Sequence, residues 1–154
     1  MMADPVDFPS TTRNLTLPLL FSGQAQKEFF INHALSLIDA ILAGVVVDTT
    51  DTPPTNPSEG SCFRVDGPAN EDWAGHEDDI AVWLGSSWHF VAPYDGMNFF
   101  DQTATSLVHY NSGWSAALAP SEPVGGITVD AEARTAISEL IEELRKIGIF
   151  PASA

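Results

Sequence analysis

The chain has 154 residues, 44% of them apolar, which is enough to bury one core, so it is predicted to fold as one domain with or without an appendage. Its 21 acidic against 6 basic residues give a formal charge of −15 and a pI near 4.2, and such a surface is repelled by nucleic acid and by anionic membranes alike. The single cysteine, Cys62, permits no intrachain disulfide and reads as a small buried hydrophobe.

The first residues, MMADPVDFPS, carry neither a basic n-region nor an apolar h-region, and the longest apolar run, near residues 40–47, is too short to span a bilayer. The expectation is a soluble protein made and kept in the cytoplasm unless something carries it out. Residues 1–16 contain two prolines and little periodicity and read as an extended N-terminal arm. Residues 17–118 read as a helix plus a β-domain.

The helix is predicted over about residues 20–42, with Ser22 as N-cap and Gly44 as stop. Phe30, Ala34, Leu37, Ile38, Ile41 and Leu42 form one apolar face, with Glu28, Asn32, Ser36 and Asp39 opposite. Phe29 and Ile31 widen the apolar arc beyond what one small sheet needs. Two readings follow: part of the helix faces a second subunit, or all of it is buried in its own domain.

Short strands come next. Val45-Val46-Val47 begins one, halted by the turn-rich run from Asp48 to Pro57. Cys62–Val65 and Ile80–Leu84 are two more. A degenerate repeat is then visible, because Val82–Trp88 through Pro93 and Val108–Trp114 through Pro120 each read as strand, Gly/Ser/Asn turn, tryptophan and strand. It predicts two β-hairpins, turning at Gly85-Ser86 and at Asn111-Ser112-Gly113, with a third crossing from Phe99-Phe100 to Leu107-Val108. The expected fold is α+β, a long N-terminal helix packed across a small antiparallel sheet or open barrel of about five or six strands.

Residues 119–127 read as a Pro/Gly linker and 128–148 as a C-terminal amphipathic helix, capped by Thr128 and ended by Gly148. Ala133, Ile137, Leu140, Leu144 and Ile147 make an a/d seam with Ile141 beside it. A seam of two heptads is marginal alone, so the helix either docks on its own domain or bundles with copies or a partner, the flexible linker favouring the latter.

Reactive chemistry has no comparable signal. His33, His76, His89 and His109 are scattered without chelating spacing, and the acidic run around Trp73 lacks the alternating calcium-loop pattern, so no metal and no cofactor is expected. No nucleophile elbow, phosphate loop or dinucleotide fingerprint is present, and the expectation is a protein that is not an enzyme. The aromatic residues are numerous, and Trp73, Trp83 and Tyr110 are the candidates for stacking on a glycan. Core or interface packing is the favoured alternative for them, since Trp88 and Trp114 follow hairpin turns at equivalent places.

Leu17-Pro18-Leu19-Leu20, Gln24-Ala25-Gln26-Lys27, Asn32, Ala34-Leu35, Leu37-Ile38-Asp39-Ala40, Pro57-Ser58-Glu59-Gly60, Trp73-Ala74-Gly75-His76 and Trp88-His89-Phe90-Val91-Ala92-Pro93 together resemble an uncharacterised family of alphaproteobacterial prophages and gene transfer agents. The resemblance covers roughly residues 14–118; His33 departs from it, standing where a glutamate is expected. It implies a virion structural protein, assembled in the bacterial cytoplasm and carried on the outer head of a released phage-like particle. The specific expectation is a homo-oligomeric head spike base joining the capsid protein at a vertex to a spike fibre for host attachment, with a pentamer favoured by analogy to fivefold symmetry. Phe8 and Leu15 of the arm would meet the capsid, and Ile137, Leu140, Ile141, Leu144 and Ile147 would meet neighbours or the fibre. The alternative is a carbohydrate-binding module of a receptor-binding fibre or tail apparatus.

Overall fold

Two four-stranded sheets share one core, and each needs a strand from the same short stretch of chain. The structure, a computed structural model, describes residues 19, 27–121, 125–126 and 129–152, the side chains of 27–30 excepted. The arm with Phe8 and Leu15, the Ser22 and Thr128 caps, Gln24-Ala25-Gln26 and the Phe29 and Phe30 side chains therefore lie outside it. Helix α1 runs Lys27–Leu42 and ends at Gly44, whose φ of +64° is left-handed. Then come β1 (Val45–Val46), β2 (Thr49–Thr50), β3 (Cys62–Val65), β4 (Ile80–Leu84), β5 (Ser87–Val91), β6 (Asn98–Asp101), β7 (Ser106–Tyr110), β8 (Trp114–Ala116) and α2 (Ala131–Lys146). One sheet has the order β2-β3-β4-β5 and the other β1-β6-β7-β8.

This overturns the expected long helix on one small antiparallel sheet. Both sheets are mixed: β1 pairs parallel with β6 and β2 parallel with β3, while the remaining pairs are antiparallel. The apolar run at Val45 does not continue as one strand, because Asp48 accepts the Thr49 N–H at 2.9 Å and the chain crosses from one sheet to the other there. Val47 donates to the Cys62 carbonyl on one side, and Gln102 donates to the Val46 carbonyl on the other. Over its 16 described residues α1 packs only part of its surface on the sheets.

The two sheets have the same plan, a parallel edge strand followed by a three-strand antiparallel meander. β4–β5 and β7–β8 are equivalent hairpins. Gly85 and Ser86 both have positive φ, +57° and +64°, as a two-residue hairpin turn requires. Each hairpin carries one cross-strand aromatic pair: Trp83 opposite Trp88, ring centres 4.9 Å apart, and Tyr110 opposite Trp114, 5.2 Å apart.

Between the sheets lie Val46, Cys62, Ile80, Val82, Leu84, Met97, Phe99 and Val108, closed at one end by Ala40, Leu37 and Ile41 of α1. Fully buried side chains of this size contribute about 1.5–3 kcal/mol each. Polar staples join the halves. Asp101, 2% exposed, accepts from Thr49 Oγ1 at 2.7 Å and from the Ala104 N–H at 2.8 Å, and Thr49 in turn accepts from Arg64 Nε at 3.0 Å. Trp114 Nε1 donates to the Asp78 carbonyl at 2.7 Å.

The outer face of the β2–β5 sheet is covered too. Residues 66–79 fold over it and insert Trp73 among Phe63, Val65 and Ala81, with Trp88 and Phe90 at the edge. His76 stacks on Phe90 with ring centres 3.5 Å apart and bonds Asp79 through Nδ1 at 3.0 Å.

α2 is capped by Asp130, whose side chain accepts the Ala133 N–H at 2.9 Å. Its far end is a Schellman turn: Ile149 N–H bonds the Leu144 carbonyl and Gly148 N–H the Arg145 carbonyl. Gly148 then docks on the β1-β6-β7-β8 sheet, its carbonyl accepting the Leu107 N–H at 2.7 Å where β8 is too short to do so.

Candidate functional site

Among the described residues, six of the ten exposed large apolar side chains lie on the two helices or at their ends, the others being Val47, Tyr94, Leu118 and Val129. On α1, Leu37, Ala40 and Ile41 face the sheets. Ile31, Ile38 and Leu42, exposed by 44%, 52% and 70%, line the roughly opposite side with half-buried Leu35 among them. The single expected apolar face is thus two: Ile38 and Leu42, grouped in sequence with Leu37 and Ile41, point away from the core, so the helix is not buried entirely in its own domain. No exposed charge interrupts this stripe from Ile31 to Val47, since the one ionisable acid there, Asp39, is buried.

α2 divides similarly. Of the seam residues, Leu144 is half-buried and Ala133, Ile137, Leu140 and Ile147 are exposed, whereas the neighbouring Ile141 is buried. The deepest residue is therefore Ile141, beside the a/d positions, and most of the seam itself remains open. Its polar flank is paired along the helix, Arg145 to Glu142 and Lys146 to Glu143. Lys146 is held above its ordinary range, first by its hydrogen bond to Glu143 and then by that carboxylate's charge.

The glycan candidates fare unequally. Trp73 is fully buried, so its ring offers no face to a sugar; the covering loop turns it inward against Phe63 and Trp88. Trp83 and Tyr110 are half-buried, each edge-on to its cross-strand tryptophan. Its burial removes Trp73 as a glycan contact and agrees with core packing, the favoured alternative for the aromatic residues. The signal for that packing is that Phe63, Val65 and Ala81 make a second apolar face on β3 and β4, which demands a cover.

Other chemistry-bearing groups are engaged in structure. His33 and His89 meet edge to face at 4.5 Å where α1 crosses β5, and Cys62 is buried with Sγ 3.7 Å from the Ala40 carbonyl. Among the described residues no group of three or more His, Cys, Asp or Glu converges as for a metal, and no helix is long and apolar enough to cross a membrane.

Residues 31–115 match the model of a family described as Protein of unknown function (DUF2793), a span that takes in most of α1 and all of β1 to β7 and ends in β8, short of α2. No curated protein matches the chain.

Proposed function

The chain belongs to the DUF2793 family, and on that premise we propose that it is a non-enzymatic, homo-oligomeric structural component of a phage-like particle, the base of a head spike that links the capsid vertex to a spike fibre. One observation carries the reading. Both helices of a strongly acidic chain expose rows of large apolar residues, Ile31, Ile38 and Leu42 on one and Ile137, Leu140 and Ile147 on the other. Apolar surface at helical spacing is the ordinary means by which a subunit engages neighbours. The body between the helices supports the same role, because both sheets are filled and stapled and so form a rigid spacer. The resemblance of the Gln-Ala-Gln-Lys and Trp-Ala-Gly-His segments to gene transfer agent proteins supplies the particle, the vertex and the fibre. On this reading the protein assembles in the bacterial cytoplasm and leaves on the outer head surface.

The test is genetic and structural together. Deleting the gene from a particle-releasing strain is expected to give heads that fill with DNA but lack density at the vertices and lack the fibre. Heads with intact spikes would refute the proposal, as would a protein that stays monomeric and attaches to capsids equally well without residues 1–12.

A further inference from the structure

We propose that α1 is a self-association surface on which two copies of this chain pack their helices antiparallel through Ile31, Leu35, Ile38 and Leu42. This goes beyond the spike-base reading and does not depend on it.

Spacing argues for a second copy as the occupant. The four residues are separated by 4, 3 and 4 positions, a pattern that reads the same from either end. About a twofold axis between residues 36 and 37, Ile31 meets the other copy's Leu42 and Leu35 meets its Ile38. That is the self-complementarity an isologous contact needs. Antiparallel packing also sets the two helix dipoles in their favourable order.

Charge argues for the same occupant. Two chains of charge −15 repel wherever acids face each other, and α1 is a face from which acids are missing from Ile31 to Val47 apart from buried Asp39. A cationic partner would be drawn instead to the exposed acids of the 66–79 loop, Asp66, Glu71, Asp72, Glu77 and Asp78.

Area sets the strength. A 16-residue helix is about 24 Å long, and a face about 10 Å wide gives roughly 250 Å² per copy. A standard interface uses about 800 Å² per partner, so the pair is a weak, concentration-dependent one.

Light scattering on the full chain over a concentration series tests it. The mass is expected to climb from the 16.5 kDa of one chain toward twice that value. Ile38→Asp should hold it at the single-chain mass throughout without moving the unfolding temperature, and Leu42→Lys, at the most exposed position, should do the same. Leu140→Asp on α2 should leave the pair intact. A wild-type monomer up to about 1 mM overturns the proposal. So does a monomer whose unfolding temperature falls on Ile38→Asp, which would mean that the chain covers this face itself. An odd-numbered assembly dissolved by Leu140→Asp but not by Ile38→Asp also overturns it, while leaving the spike-base reading standing.

Discussion

Replacing Gly148 by alanine should unlatch α2 from the sheets, and the size of the effect can be built from two terms. Gly148 closes the Schellman turn at φ +75°, a left-handed conformation that costs an L-residue about 1–2 kcal/mol. An added Cβ would also stand 2.7 Å from Phe100 Cε2 and 3.3 Å from Cδ2, well inside the optimal carbon separation of about 3.5–4.0 Å, and forced overpacking of this kind costs about 1–3 kcal/mol. Together they give about 2–5 kcal/mol, borne by the docked C-terminal segment and not by the sheets. Leu107 reports it directly, because its N–H bonds the Gly148 carbonyl. In native-state hydrogen exchange the Leu107 amide of Gly148→Ala should exchange at least about 30-fold faster, with the β4 amides unchanged. Adding Phe100→Ala removes the steric term, so in that background the glycine substitution should cost only the conformational term. A Leu107 amide as protected in Gly148→Ala as in the wild type would refute the docking argument.

Two further outcomes follow from the loop over the β2–β5 sheet. Trp73→Ala should lower stability by about 3–5 kcal/mol, because it empties a fully buried site between Phe63 and Trp88; thermal unfolding measures it, and a loss below about 1 kcal/mol would mean that the loop is not a cover. Glu77 is held below the ordinary glutamate range, chiefly by its own backbone N–H, then by the Ala69 N–H at 3.3 Å and that of Gly75, with the His76 charge adding to them. A depressed carboxylate stabilises the fold above its unfolded pKa, and that contribution is lost as pH falls through the folded pKa. NMR titration should therefore show the Ala69 amide loosening at acid pH in the wild type, and in Glu77→Gln an amide insensitive to pH over that window.

Local chemistry was readable in the sequence where one residue type dictates a backbone shape. Gly85-Ser86 and Asn111-Ser112-Gly113 mark hairpins because a tight turn needs positive φ, and Gly148 marks the end of α2 for the same reason. Pairing between distant segments was not readable. β1 and β2 have two residues each, too few for any period, and their parallel partners lie 55 and 15 residues away. The single expected sheet followed from treating neighbours in sequence as neighbours in space. α1 misled for a different reason: apolar residues lie on two sides of it, and composition alone does not say which side meets the sheets. In α2 the a/d rule singled out a seam, but the turn at Gly148 decides which side is covered, and it favours Ile141.

The six residues Val45–Thr50 give each meander its parallel edge, β1 to one sheet and β2 to the other. A break after Pro93 would separate the two meanders cleanly, yet it would leave residues 94–116 without β1 and unable to complete their sheet. The halves are alike in plan but not autonomous, and they should unfold in one transition. Were the plan a product of gene duplication, the shared segment would be the feature that has since made the copies inseparable.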